Sequence, residues 1–347
     1  PSARFPPGAG GCVPREALVN APIRRRDWLA AVSASSAGLP LAGARAQGRF
    51  PDHVVRIVVP FAVGVGPDVV SRAVAEVLSR RWGQPVVVDN KPGASGIIAF
   101  SEVRRVPPDG HTLFVADTAT MCVNPLIHSK LPYDPAKDVV PLTLLFRATF
   151  VILVGGDSPF RSVAQMLDAA RRQPGRVSYA SLGNGHASQV AIESLARAAD
   201  VQLLHVPFKD AGALFTAVAS GEVGFTAFSM NTVAGLLQRG RLKALAVAAR
   251  QRLPEHPDLP TLAETGAPDV EMRPWAGFVA PAGVHETVLQ QLQRDLLAAI
   301  DAPEVRQRIP ALGFELTPST PRQMRERIEA DLAIYAPLVR EGRVSRL

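Results

Sequence analysis

The sequence predicts an α/β protein built as two lobes, and three observations carry that expectation. A strand, a glycine-bearing loop and a helix follow one another repeatedly along the chain. The pattern restarts after Tyr133-Asp134-Pro135, with no long flexible linker between the halves. The chain has 347 residues, 47% of them hydrophobic and 20% charged, enough for two cores of ordinary size. Only 6% are aromatic, and an apolar content of mostly Ala, Val and Leu favours α/β layers over a β-sandwich.

In the first half, Val54 to Val59 is rich in β-branched residues and stopped by Pro60, the pattern of a buried strand. A Gly/Pro loop from Phe61 to Pro67 follows. Val70, Ala73, Val74, Val77 and Leu78 then recur at helical spacing. Residues 85–88 form the next expected strand, residues 90–96 a loop entering a helix, and residues 111–116 a third strand. After the restart come a strand at 150–154 and a helix at 162–172, with Ser162 as N-cap and Pro174-Gly175 beyond its end. Strands are expected at 177–180, 201–206, 242–247 and 275–280, and a helix at 189–199. Two helical faces close the chain: Leu289, Leu292, Leu296 and Ile300, then Met324, Ile328, Leu332, Tyr335 and Val339. These elements set out a parallel sheet covered by helices in each half.

The first 46 residues read as an address. Arg24-Arg25-Arg26-Asp27-Trp28-Leu29 precedes a mildly apolar Ala/Ser-rich stretch and then Ala44-Arg45-Ala46, a small-x-small site with cleavage before Gln47. The Arg-Arg-x-aromatic-Leu run resembles a twin-arginine signal, although Arg24 replaces the usual Ser or Thr. An amphipathic surface helix is the alternative for this segment. Residues 1–20 fit neither signal nor fold, as if the true start lay further along. Export would place the mature chain in the periplasm.

Charge and composition exclude several functions. The formal net charge is +7, but six of the arginines lie in residues 1–46 against Glu16 and Asp27. The remainder carries 32 basic and 29 acidic groups, scattered without a basic–aromatic stripe, so nucleic-acid binding is not expected. The two cysteines, Cys12 and Cys122, form no metal site, and Cys122 is expected as a small buried residue. No run of about eighteen apolar residues occurs, so no membrane span is expected. There is no Gly-x-Ser-x-Gly elbow, no phosphate loop, no His-Glu-x-x-His, and the seven histidines lack ligand spacing. Neither an enzyme nor a metal or cofactor is expected.

Three loops carry candidate binding chemistry. Pro60 to Asp68 joins a strand to a helix, so its amides and the helix N-terminus offer partial positive charge to a carboxylate. The alternative is a tight turn with Asp68 capping the helix. Ser181-Leu182-Gly183-Asn184-Gly185-His186-Ala187-Ser188 has the same setting in the other half, and two such loops face to face would grip a two-ended anion. His186 is either a donor to that anion or a structural residue. Asp117 to Pro125 brings Thr118 and Thr120 towards the same crevice, while Asn124-Pro125 reads equally as a turn.

At these blocks the chain resembles a known family. Val55-Arg56-Ile57-Val58-Val59-Pro60-Phe61-Ala62, Gln84 to Gly93, Pro108 to Leu113, Leu131 to Pro135, Tyr179 to Gly185, His205 to Lys209, Gly240 to Ala246 and Ala280 to Gly283 are similar, in order, to the Bug family. Its members are extracytoplasmic solute receptors of tripartite tricarboxylate transporters. The resemblance runs from about Phe50 to Tyr335.

It implies a periplasmic-binding-protein fold, type II-like, with two α/β lobes, a hinge and a ligand cleft. In this scheme residues 1–46 are the export segment, 47–148 the first part of lobe 1, 149–250 lobe 2, and 251–347 the return to lobe 1. It also implies a monomer, two membrane subunits as partners, and a small organic acid as ligand. Carried over by position, the ligand residues are Phe61, Ala62, Gly64, Gly66, Asp68, Thr118 and Thr120 in lobe 1. Lobe 2 contributes Ser181, Gly183, Asn184, Gly185, Ser188 and Phe208. A ligand-sensing receptor for a signalling system is the alternative role.

The departures bear on the ligand. Val65 stands in place of a Gly, His186-Ala187 in place of Ser-Ser, and Gln189 in place of a His. Gly224 and Phe228 stand where acidic residues are common. A branched residue at 65 strains the backbone if φ is positive there. The ligand's charge is therefore left open.

Overall fold

The computed structural model describes residues 50–347. The export segment, with Arg24 to Arg26, the Ala46–Gln47 junction and Cys12, lies outside the described residues. Two sheets organise the chain. The first has six strands and the second five.

The first sheet comprises β1 (Val55–Val59), β2 (Val86–Asn90), β3 (Thr112–Asp117), β4 (Val139–Ala148), β10 (Trp275–Pro281) and β11 (Phe314–Leu316). The second comprises β5 (Val151–Gly155), β6 (Ser178–Ser181), β7 (Leu204–Pro207), β8 (Phe225–Phe228) and β9 (Leu242–Val247). The first sheet has the order β11-β4-β10-β3-β1-β2, and the second β7-β6-β8-β5-β9. The repeated β-loop-α pattern appears as expected where β1 pairs in parallel with β2 and β3, and β6 with β7 and β8.

The sheets are mixed, however, rather than parallel throughout. β4 runs out of the first sheet and continues through Thr149-Phe150 into β5. β10 returns and inserts between β3 and β4, antiparallel to both. A strand that carries the chain back must run against those that carried it out. The same logic sets β5 antiparallel to β8 and β9. The strand expected at 201–206 begins only at Leu204, after Asp200 turns the chain with φ of +52°.

Each sheet is covered on both faces. Helices Gly66–Trp82 and Glu286–Ile300 pack on one face of the first sheet, burying Val74, Leu78, Leu292, Leu296 and Ile300. Helices Ile97–Val103 and Pro321–Arg340 cover the other, with Phe100, Phe114, Cys122 and Met324 between them. Each fully buried Phe or Leu stabilises the fold by roughly 1.5–3 kcal/mol. In the second sheet, helices Val163–Arg172 and Ala187–Ala198 take one face and Ala211–Ala219 the other. Among the described residues no helix is long and apolar enough to cross a membrane.

The two crossings are stitched together. The Ala148 amide donates to Pro274 O at 2.8 Å, Phe150 to Met272 O at 3.0 Å, and Ala248 to Phe150 O at 2.9 Å. The C-terminal helix adds a third connection. Its first part packs under the first sheet, while Leu338, Val339 and the following Val344 meet Val190 of the second lobe.

Candidate functional site

Between the two sheets lies a cavity of about 430 Å³. Its position follows from topology, because β1, β3, β6 and β8 all point their carboxyl ends towards it, where an open α/β sheet leaves a crevice. Pro60, Phe61 and Pro67 enter from the first loop, and Asp117, Thr118 and Ala119 from the end of β3. His186, Ala187, Phe228, Ser229 and Thr232 come from the second lobe. The floor is the hinge itself, with Phe146, Ala148, Phe150 and Trp275.

Of the residues singled out from the sequence, Phe61 and Thr118 lie on the cavity wall. Ala62 and Gly64 belong to an exposed turn beside it. Asp68 is 1% exposed and serves the loop: it accepts from the Gly64 amide at 2.8 Å, from Arg72 Nε at 3.1 Å and from Asn90 Nδ2 at 2.8 Å. Burial alone raises its pKa, but Arg72, the Gly64 amide and Asn90 together hold the carboxyl below its usual range. Gly66 packs under the wall, since a Cβ there would come within 2.4 Å of the Phe314 ring. Val65 sits at φ −79°, so its branched side chain brings no strain.

Thr120 is fully buried beneath the wall and bonds Asp117 through Oγ1 at 2.6 Å. Burial outweighs these bonds and raises the Asp117 pKa. Thr118 Oγ1 accepts the Trp275 amide at 3.0 Å, which leaves its own hydrogen to donate.

In the second loop only His186 and Ala187 reach the cavity. Gly183 N–H is taken by Ser181 Oγ at 3.1 Å, and Gly185 N–H by Gln189 Oε1 at 2.6 Å. Asn184 turns away to donate to Ser345 O at 2.8 Å. Gly185 lies against the first lobe, where a Cβ would come within 2.5 Å of Ile127 Cδ1. Ser181 and Ser188 are fully buried, and Ser181 Oγ lies 2.6 Å from His205 Nε2. Phe208 packs against the core beneath helix Ala211–Ala219 and does not line the cavity.

The Ser188 amide donates to His186 Nδ1 at 3.1 Å, so the neutral imidazole carries its proton on Nε2. Burial pushes its pKa down to about 4 and keeps it neutral near pH 7. His186 is thus both a helix cap and a neutral donor on the wall.

Sequence reasoning missed Ser95. Ala94 and Ser95 stand at φ 47° and 50°, conformations that cost roughly 1–3 kcal/mol each outside glycine. A buried relay holds them: Asn124 Nδ2 donates to Ser95 O at 2.9 Å and to Tyr133 Oη at 3.0 Å. Tyr133 in turn donates to Thr120 O at 2.9 Å. The only sign in the sequence was the Gly-Ala-Ser-Gly loop itself. Trp275 opens the strand expected at 275–280, and its indole donates to Asp331 of the C-terminal helix at 2.7 Å, which fixes the ring at the floor.

Spacing also hid one cluster. Asp52, His53 and His111 bring one ligand atom each within 4.8 Å of one another. The rings of His53 and His111 stack at 3.6 Å and 13°, so their in-plane lone pairs lie in parallel planes rather than converging. A second recess, of about 600 Å³, borders the hinge and is lined by Arg250, Arg252, Arg273, Glu271 and Glu315. Its arginines already face Glu271, Glu264 and Glu315.

The cleft lies between two hinged α/β sheets, and its lining combines hydroxyls and a neutral imidazole with apolar rings. The profile of the tripartite tricarboxylate transporter family receptor matches residues 70–343. The chain belongs to that family. The receptor is 33% identical to the UPF0065 protein in the tcbD-tcbE intergenic region of Pseudomonas sp. (strain P51), over 93% of this chain and 96% of that one. Among solved structures it resembles Rpa4515 of R. palustris with adipate, at 29% identity and a TM-score of 0.75, over 86% of this chain and all of that one. It also resembles MatC (Rpa3494) from Rhodopseudomonas palustris with bound malate, at 29% identity and a TM-score of 0.71, over 83% and 99%. It is therefore a solute-binding receptor with a periplasmic-binding-protein fold, not an enzyme.

Proposed function

We propose that the receptor captures a small organic acid between its lobes and delivers it to the membrane subunits of a tripartite tricarboxylate transporter. The lobes are residues 47–148 with the chain from β10 onward, and residues 149–250 with the following stretch that packs Leu262, Ala267 and Met272 onto the second sheet, closing about the stitched crossings in Venus-flytrap fashion. The observation that carries this reading is the inter-lobe cavity, where Ser95, Thr118, Ser229, Thr232 and the neutral His186 supply donors beside apolar rings. Adipate and malate in the related structures support a carboxylate. Of the residues expected from the sequence, Phe61 and Thr118 contact the ligand, and Asp68, Gly66, Thr120, Ser181 and Ser188 hold the walls.

The receptor acts as a monomer and reaches the periplasm by its twin-arginine-like segment; unimpaired export of a variant with Arg25→Lys and Arg26→Lys would exclude that route. Thermal-shift screening of residues 47–347 against mono-, di- and tricarboxylates tests capture. Binding raises the melting temperature in step with ligand concentration. A flat response to every carboxylate contradicts the reading.

A further inference from the structure

Granting that reading, we propose that the preferred solute is an aromatic monocarboxylate: one carboxylate on a planar, apolar body. The walls are unusually rich in rings for a chain that is only 6% aromatic. Phe150 and Phe228 sit 5.8 Å apart at one side, and Phe146 stacks on Phe314 at 4.2 Å on the other. Trp275 and Phe61 complete the surround. Such rings present faces and edges to a flat ligand in the offset and edge-on geometries that aromatic groups favour.

The charges point the same way. Among the described residues lining the cavity there is no Lys or Arg, and the acidic residue on its wall is Asp117. A dicarboxylate would bury a second negative charge without a cation and near that acid, which is unfavourable. One carboxylate is within the means of the hydroxyls present. Ser229 and Thr232 stand 2.8 Å apart in one lobe, and Ser95 and Thr118 line the other. The second loop contributes little to a second anionic end, because the Gly183 and Gly185 amides are already taken. Phe228 is the residue that sets the preference. It is 6% exposed, packs edge-on against Phe215 at 5.1 Å, and lies 6.1 Å from His186.

Calorimetric titration of residues 47–347 with benzoate, phenylacetate, adipate, malate and benzamide tests this. The expected order places benzoate or phenylacetate at least tenfold tighter than adipate or malate, with benzamide weaker than benzoate. Phe228→Leu, checked for folding by thermal unfolding, should lower affinity for the aromatic acid about fivefold and leave adipate nearly unchanged. Equal or tighter binding of adipate or malate overturns the aromatic monocarboxylate while leaving carboxylate capture intact. Benzamide binding as tightly as benzoate overturns the anionic requirement. Silence towards all five, from a protein that melts cooperatively, contradicts both this inference and the reading it rests on.

Discussion

The loops Pro60–Asp68 and Ser181–Ser188 share a sequence logic, a strand running into glycines and then a helix, yet they end in opposite conditions. The first stands open: Val63 is 70% and Val65 41% exposed, and Gly64 would meet nothing if given a side chain. The second is fastened down. Its amides are occupied by Ser181 and Gln189, its Asn184 holds the C-terminal tail, and its Gly185 touches Ile127 of the first lobe. Glycine amides are taken in both loops, Gly64 by Asp68 and Gly183 and Gly185 by Ser181 and Gln189, so the contrast lies in exposure and packing rather than in free amides. The first loop is a rim of the cleft, and the second is largely part of the seam between lobes.

That contrast can be broken most forcefully at Gly185. Gly185→Val imposes a side chain at φ of +76° and against Ile127, and should cost roughly 3–5 kcal/mol in urea unfolding. A cost below about 1 kcal/mol would mean that the seam yields easily. At His186 the probe is pH. The unfolded chain takes up the proton near 6.5 and the folded chain resists until about 4. This contribution is complete above pH 6.5 and is lost as pH falls towards 4, by about 3 kcal/mol at most. Paired unfolding curves for the native chain and His186→Gln at pH 7 and pH 4 isolate it, and parallel pH dependence in the two would contradict a half-buried neutral imidazole.

In the open loop the effects should be smaller. Asp68→Ala strips the Gly64 amide, Arg72 and Asn90 of their partner and should cost about 2 kcal/mol in the same assay. Gly64→Ala meets no atom and has only its φ of +84° to resist it, so about 1 kcal/mol is expected. If Gly64→Ala proved as damaging as Gly185→Val, the distinction between rim and seam would fail.

Much of this architecture was legible in the sequence. Val54 to Val59, the helix after Pro67 and the faces of Leu292–Ile300 and Met324–Tyr335 stand nearly where periodicity put them, because a buried stripe leaves a direct imprint on residue order. Strand direction was not legible. β4 and β10 are apolar on both faces, and such a run carries no sign of whether it leaves or returns. The cleft was legible only in part. Phe61 and Thr118 stood in loops that announced themselves, whereas Phe150 and Trp275 opened expected strands and Phe146 and Phe314 lie in strands that periodicity did not mark. Ser95 escaped because its left-handed backbone is imposed by Asn124 and Tyr133 rather than chosen by its own side chain.

The central claim is that solute is held between the lobes by Ser95, Thr118, His186, Ser229 and the surrounding rings, with the second glycine loop serving the seam. Hydrogen–deuterium exchange of residues 47–347, with and without saturating ligand, addresses it directly. The account predicts ligand-dependent protection at residues 93–96, 117–119 and 228–232, and little change at 183–185, already protected in the free receptor. Protection confined to 183–185, or to the charged recess around Arg250 and Arg252, would contradict it.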